Sequence, residues 1–432
     1  MTERCLIIAD DLTGGADTGA QFVKWGIRTF LVSCEKNLSI DFSKFARQDT
    51  LVVNTDSRSL SPEKASSLVS TLFKRYDPAL FPVIYKKIDS TLRGNIGHEI
   101  DALIERTNGP LCFMTPAYPE QGRTVVDGVL MIRGKPLAST EVFRDASSPV
   151  KESHVRKLLE LQSRHSVGWI GLEEVRSAGE KLLRRVEDER KTGNRIIVFD
   201  AVSRQDLKNI ADVAFRMERM PLFIGSAGLA QEIARKLSPL APVSPYTSGK
   251  EMKPIRHVFI VSGSASSITH EQLSQVEDKN ILPFVLPSEW IIRDDPASGI
   301  EKEDVSRMIA RALSEGSALL KAPSEYIQKG RMGLSARLDI TGTLASLALS
   351  ALEQSGIRAD DLAFILTGGE TAMSIIRLLQ ADGIEIEDEV LEGIMKGRLK
   401  GGRWDGLTVV TKAGGFGEGD TLKKIVKILK RG

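Results

Sequence analysis

The chain lacks the features that would direct it to a membrane, a nucleic acid or a zinc ion. No stretch reaches the ~18 consecutive apolar residues of a membrane-spanning helix, so no span is expected. Neither sign of charge dominates: 59 Lys and Arg stand against 57 Asp and Glu, a net charge of +2. That balance offers no basic field to nucleic acid or to a membrane surface. Cysteine is scarce, with Cys5, Cys34 and Cys112 odd in number and set within apolar runs, as expected of buried thiols in a reducing compartment. No CxxC or HExxH spacing offers zinc ligands. GxxxxGK[ST] is missing, and no GxGxxG follows an early strand, so a nucleotide site must be of another type. The opening MTERCLIIADDL is too short in its apolar run and too soon acidic for a secretory signal, and a cytoplasmic location is expected. No repeat of fixed period is visible.

What is present is an alternation. At 432 residues the length suits two or three domains, of which two are expected. The mix of 41% apolar and 27% charged residues is that of a soluble globular protein. Short β-rich runs at 5–9, 28–32, 51–54, 83–88, 111–115, 168–172, 195–200 and 222–225 alternate with helical patterns such as Pro62 to Arg75 and Ala178 to Thr192. This predicts a parallel sheet flanked by helices. From Ser238 to Pro254, four prolines (Pro239, Pro242, Pro245, Pro254) interrupt the pattern, and then runs at 257–263, 281–286, 318–322, 362–369 and 407–415 resume it. The expected organisation is an N-terminal α/β domain over 1–237, a Pro-rich linker over 238–256 and a C-terminal α/β domain over 257–432. The charged end LKKIVKILKRG reads as a solvated helix.

Four runs end in small or acidic residues, where open α/β sheets bind ligands. In the first, the strand Leu6 to Ala9 ends at Asp10 and Asp11, Leu12 to Gly15 is expected to turn, and Asp17 to open a helix. Paired carboxylates there can hold a metal, orient hydroxyls or accept a proton; the plainer alternative is helix capping by Asp10 or Asp17. After Asn54, Arg58 could clamp a carboxylate with its planar fork, although a lone Arg after a strand is usually a surface residue. In KKIDSTLRGN, alternation sends Lys87 and Asp89 to one face, to pair or to grip a polyhydroxy acid jointly; a structural ion pair is the alternative. TPAYPEQGR (Thr115 to Arg123) reads as a rigid loop at the same edge. In the second half, VSGSAS (Val261 to Ser266), LTGGETA (Leu366 to Ala372) and KAGGFG (Lys412 to Gly417) are strand–turn–helix glycine corners that present N–H donors to phosphate.

Taken together, ADDLTGGADTG, KKIDSTLRGN, TPAYPEQGR, VSGSAS, TGGETA and KAGGFG resemble the four-carbon acid sugar kinase family, in the same order and over nearly the whole chain. The resemblance implies two α/β domains with mainly parallel sheets, an N-terminal one binding a tetronate, a C-terminal one binding ATP, and an active site in the cleft between them. It implies ATP-dependent phosphorylation of the sugar acid's terminal hydroxyl. KKIDSTLRGN is most similar to the D-threonate and D-erythronate kinase branches rather than the 3-oxo-tetronate kinases, and D-threonate is the favoured substrate. By motif position the resemblance puts substrate contacts at Asp10, Asp11, Arg58, Lys87, Ile88, Asp89, Ser90 and Arg93. It puts ATP contacts at Ser264 or Ser266, at Gly368, Gly369, Glu370 and Thr371, and at Gly414 or Gly415. VSGSAS departs from family forms that carry Cys there.

Phosphoryl transfer asks mainly for positioning and charge neutralisation. Arg58 and Lys87 are expected to hold the substrate carboxylate, Asp89 and Ser90 its hydroxyls, and Asp10, Asp11 or Asp89 to accept the proton. Mg2+ is expected with ATP, its protein ligands unassigned apart from Glu370 as a candidate neighbour. The Pro-rich segment would be the hinge of domain closure. Two rivals differ in signature: an NAD-dependent dehydrogenase requires the missing GxGxxG, and a sugar-acid sensor responds to the acid alone. The expected partners are the sugar acid and ATP, without nucleic acid or membrane; a homodimer is allowed.

Overall fold

The computed structural model describes residues 4–33, 41–45, 48–140, 143, 150, 152–238, 254–264, 266–276, 281–287, 290, 302–323 and 334–431. Most of the Pro-rich segment (239–253) and Cys34 lie outside them, as does Ala265. The chain divides into two compact units, 1–243 and 244–432. Among the described residues no helix is long and apolar enough to cross a membrane.

The first unit is built on β1 (Cys5–Ala9), β2 (Thr29–Ser33), β3 (Thr50–Asn54), β4 (Val83–Lys87), β5 (Cys112–Thr115), three strands of a separate small sheet, β6 (Arg123–Val126), β7 (Val129–Ile132) and β8 (Lys135–Pro136), then β9 (Val167–Ile170), β10 (Ile196–Phe199) and β11 (Leu222–Gly225). The large sheet runs β2-β3-β1-β4-β11-β5-β10-β9, all parallel. β1, β3, β4, β5, β10 and β11 are buried along their whole length, which is why they read as largely apolar runs rather than alternations, β4 excepted with its Lys86 and Lys87. Cys5 and Cys112 are free, buried thiols within this core, and burial pushes both thiol pKa values up. The strand order reverses direction about β1 and β4, so the carboxyl ends of these two strands flank a topological switch point, the place where such sheets leave a crevice.

The first helix begins at Leu12 and runs to Val23, which corrects the expectation of a Leu12–Gly15 turn with Asp17 opening the helix. Glycine is what lets the helix start this early. A Cβ on Gly15 would stand 2.9 Å from the Ala9 Cβ and 3.1 Å from Val52 Cγ1, so only glycine permits the helix to press on β1 and β3. Asp17 is consequently buried in mid-helix, where its Oδ1 accepts a 3.3 Å hydrogen bond from Gln21.

The second unit carries β12 (His257–Ser262), β13 (Ile281–Val285), β14 (Ser317–Lys321), β15 (Leu362–Thr367), β16 (Gly383–Leu391), β17 (Ile394–Lys400) and β18 (Thr408–Lys412). Their order is β13-β14-β12-β15-β18-β17-β16. The first five are parallel, and β17 and β16 join antiparallel. Here the order reverses about β12 and β15, the strands that lead into VSGSAS and TGGETA. Ile260, Ile365, Leu319, Val410, Leu422 and Ile425 belong to one core cluster beneath these corners.

The small sheet is held by backbone bonds between Val125 and Ala201 and by one carboxylate. Its hairpin turns at Asp127 (φ 50°) and Gly128 (φ 73°), the left-handed pair that a tight two-residue turn requires. Asp200, at the end of β10 and fully buried, accepts from Asp127 N at 2.8 Å, Gly128 N at 2.9 Å and Trp169 Nε1 at 3.0 Å. Asp200→Ala leaves the buried Gly128 amide and the more accessible Asp127 amide and Trp169 indole N–H without their acceptor and should lower the unfolding free energy by about 2 kcal/mol. Urea unfolding of the variant checks this, and an unchanged midpoint would show that the hairpin is held by something else.

Candidate functional site

Register places the first unit's motifs side by side. Ala9 is level with Asn54 on β3 and with Lys87 on β4, so Asp10, Thr55 and Ile88 leave the sheet together. Asp56 takes a left-handed conformation (φ 52°), and the bend returns Arg58 over the end of β1. The guanidinium then grips both aspartates: Nε donates to Asp10 Oδ2 at 2.9 Å, and Nη2 to Asp10 Oδ1 at 3.0 Å and to Asp11 Oδ1 at 2.5 Å. Burial would depress the guanidinium pKa, but Asp10, Asp11 and Asp89 together raise it well above its ordinary value.

Asp11 also accepts from Thr13 Oγ1 at 2.7 Å. Burial would raise its carboxyl pKa, yet Arg58 and Lys87 outweigh burial and hold it below the usual range. Lys87 is only 5% exposed, and its ammonium makes no hydrogen bond or ion pair among the described residues. A Cβ on Gly14 would lie 2.4 Å from Asp11 Oδ1 and 2.5 Å from Lys87 Nζ, so the bare glycine is the gap into which these two groups lean.

The Lys87–Asp89 pair expected from alternation does not form. β4 stops at Lys87, and Ile88 N donates to Gly225 O at 2.9 Å, with the Ile88 side chain buried. Asp89 lies in the following turn, where it takes Arg93 Nε at 2.7 Å and Nη2 at 3.2 Å and the Thr91 hydroxyl. Against the opposing effect of burial, Arg93 and Arg58 hold its carboxyl far below the usual range. Ser90 is half-buried in the same turn. Asn95 ties this turn to the Arg58 segment through Ser57 O (3.2 Å) and Leu60 O (2.8 Å).

Two groups escaped the sequence reading. Arg123, on the loop read only as rigid, feels the charge of Asp89 although burial lowers its pKa overall. Lys86 and Glu99 form a buried ion contact behind the site. The signal for Lys86 was a second charge inside an apolar strand; nothing in the sequence marked Glu99.

In the second unit the three glycine corners converge on Ser264. Its Oγ is 3.0 Å from Thr269 Oγ1 and accepts from Ser266 N at 3.2 Å. A Cβ on Gly414 would lie 2.3 Å from that Oγ, and one on Gly368 would lie 3.6 Å from Ser264 N. Gly368 (φ 99°) makes the turn, the helix Gly369–Leu378 follows, Thr371 is buried and Glu370 is exposed in the first turn. Ser266, Gly369 and Gly415 complete the set, Gly415 with open space where a side chain would stand.

Lys412, also missed, lies beneath this corner. Wholly buried, it donates from Nζ to Ala413 O at 2.9 Å and Gly414 O at 3.3 Å, and burial pushes its pKa down to about 8. Thr269 Oγ1 also donates to Gly414 O, at 2.6 Å. In a trans peptide the carbonyl and the next N–H point opposite ways, so drawing these two carbonyls inward turns the Gly414 and Gly415 amides outward, as an anion requires.

Gly14→Ala tests the first site without touching the core, because the atoms in the way are the ends of two flexible side chains and Ala favours a helix by about 1 kcal/mol over Gly. The variant should melt no lower than the parent while losing affinity for its anionic ligand, measured by calorimetry; unchanged affinity would detach the Asp11–Lys87 gap from binding. The depressed Asp89 gives a second test. A carboxyl whose folded pKa lies below its unfolded value of about 3.9 contributes stability above that pH and loses it as pH falls through the folded value. Thermal unfolding of Asp89→Asn followed from neutral to acid pH should therefore show a shallower decline than the parent; parallel curves would contradict the assignment.

Comparison with known proteins accords with this division. A family model described as a sugar-binding N-terminal domain matches residues 5–233, and one described as a nucleotide-binding C-terminal domain matches 259–422. A D-threonate kinase of Salmonella typhimurium is 34% identical, covering 97% of this chain and 96% of its own. A D-erythronate kinase of Heliobacterium modesticaldum is 30% identical, covering 98% and 96%. A crystal structure from Salmonella typhimurium LT2, described as a putative tRNA synthase, superposes with a TM-score of 0.79 at 21% identity over 98% of both chains; that likeness shows the fold alone. With both family models matched in order and these two kinases aligned almost end to end, the chain belongs to the four-carbon acid sugar kinase family.

Proposed function

We propose that the chain transfers the γ-phosphoryl group of ATP to the terminal hydroxyl of a four-carbon sugar acid, D-threonate. The observation that carries this reading is the charge pattern at the first unit's switch point. Three carboxylates (Asp10, Asp11, Asp89) stand with Arg58, Arg93 and Lys87, and Arg123 adds a further positive charge. Arg58 and Arg93 are engaged by aspartates, whereas the Lys87 ammonium is not. One cation in excess, with its ammonium uncommitted, suits a single carboxylate on a small polyhydroxylated molecule.

On this reading Lys87 takes the substrate carboxylate. Arg58 acts mainly by holding Asp10 and Asp11 in place, since its Nε and Nη2 are already used. Asp89 and Ser90 meet the substrate hydroxyls. Asp11 is the proton acceptor: its side chain is 18% exposed, against 4% for Asp10 and 12% for Asp89, and it stands beside Lys87. Its weak basicity is tolerable, because a loose transition state releases the hydroxyl proton late.

The second unit fits the triphosphate. Gly369 to Thr371 open a helix, and the outward amides of Gly414 and Gly415 supply donors without side-chain bulk. Magnesium would enter with the nucleotide, and Glu370, exposed in the first turn of that helix, is the side chain placed nearest to it on this reading. Such an ion supplies charge neutralisation. The reaction requires the sugar acid of one unit to meet the phosphate of the other, with water kept out.

Coupled measurement of ADP release across D-threonate, D-erythronate and 3-oxo-tetronates should give the highest kcat/KM with D-threonate. Lys87→Met should cost about 3 kcal/mol, roughly a hundredfold in kcat/KM, while ADP affinity stays as in the parent. Absence of ADP release with every acid, or full activity of Lys87→Met, would overturn the reading.

A further inference from the structure

Behind the acid cluster lies a second charged layer that no ligand can reach. Lys86 Nζ is 2.9 Å from Glu99 Oε2, and both side chains are only 1% exposed. The ammonium also donates to Lys87 O at 3.0 Å and Ile8 O at 3.4 Å. Glu99 Oε1 accepts from Ser57 Oγ at 2.9 Å. Ser57 Oγ is 2.8 Å from Thr55 Oγ1, which donates to Ala9 O at 2.8 Å. The atoms tied down in this way are the last carbonyls of β1, just before Asp10, the last carbonyl of β4, at Lys87, and the residue before Arg58. The ends of β1, β3 and β4, which deliver Asp10, Arg58 and Lys87, are thus fastened to one buried pair, directly or through Ser57 and Thr55.

Stability does not explain such a pair. Removing two charges from water costs several kcal/mol per ion, and a well-packed apolar pair of similar volume is as stable or more so. Nor is the pair open to reactants, since both side chains are only 1% exposed. Its distinctive property is directional: a salt bridge with fixed carbonyl partners holds three chain ends in register in a way that methyl groups cannot.

We propose that Lys86 and Glu99 are a positioning pair for the phosphoryl transfer, fixing the carboxyl ends of β1, β3 and β4 so that Asp10, Arg58 and Lys87 present the geometry the sugar acid requires. This rests on the kinase reading above. Displacements near 1 Å of groups around a reacting centre cost on the order of a hundredfold in rate, and that is the effect expected of loosening these three ends.

The test uses the full chain, ATP, and whichever tetronate the wild type turns over fastest. The double variant Lys86→Met/Glu99→Leu removes both charges together, so neither is left buried and unpaired, and it should fold. Its kcat should fall about a hundredfold, with weaker calorimetric binding of the acid and an unchanged KM for ATP. Glu99→Gln is the second arm. It keeps the acceptor for Ser57 but leaves the Lys86 ammonium without its counter-charge, so it should melt lower and show the same split between kcat and the KM for ATP. Wild-type kcat in either folded variant overturns the proposal. So does a KM for ATP that worsens in step with kcat, or failure of both variants to fold, because each assigns the pair a merely structural role. A wild type inert towards every tetronate overturns the kinase reading and this inference with it, whereas an active wild type with an equally active double variant overturns the pair alone.

Discussion

The grip of Arg58 on Asp10 and Asp11 is the constraint around which the first unit's site is arranged. Two adjacent carboxylates at a buried strand end repel each other and resist desolvation, and one planar cation with parallel donors relieves both problems at once. Lys could not substitute, because a point charge cannot bond two carboxylates in fixed orientation. The left-handed Asp56 aims the guanidinium, and the Asn95 ties hold the facing turn. A Cβ on Gly94 would stand 3.3 Å from Asp10 Oδ2, tight enough to disturb the grip. With Asp10 and Asp11 held by Arg58, Lys87 need not neutralise them alone.

The two units use one topological device for opposite chemistry. Each sheet reverses its strand order at a central pair, β1 and β4 in one, β12 and β15 in the other, and each places its motifs at the carboxyl ends of that pair. In the first unit the chain leaves the sheet in charged side chains, which can distinguish a carboxylate from a hydroxyl. In the second it leaves in glycine and small hydroxyl residues, with backbone amides as the donors. A polyhydroxy acid needs discrimination at each atom, while a phosphate chain needs many equivalent donors at close approach.

Much of the fold was legible because strands buried on both faces are apolar along most of their length, as CLIIA, LVVN and LAFILT are. The elements that escaped are those that break this rule. β16 alternates charged and apolar residues and is only half-buried over most of its length, and β6 to β8 are short and partly exposed. The candidate site was legible as a set of neighbouring residues rather than as a set of pairs. Motif order brought Asp10, Arg58, Lys87 and Asp89 to one edge, but the pairing depended on where β4 stops, and one residue of difference gave Asp89 to Arg93 instead of Lys87. Glu99 could not be found by pattern, since its partner is 13 positions away on another element and a Glu inside a helix is ordinarily a solvated one.

The buried lysines of the two units show how a strand end can fix the direction of the backbone just beyond it. Lys86 and Lys412 each sit at or next to the last position of a parallel strand, and each turns its ammonium onto carbonyls of its own chain just beyond. Because carbonyl and following amide oppose each other in a trans peptide, a lysine inside the sheet fixes the direction of the next N–H outside it. In the second unit those amides belong to Gly414 and Gly415, which have no side chain to obstruct an anion, so the buried charge becomes an exposed donor. In the first unit the Ile88 amide is turned onto Gly225 O instead, which spends the donor on the neighbouring strand and leaves the side chains to do the binding. The same cation in the same place therefore favours backbone recognition where glycine follows and side-chain recognition where it does not.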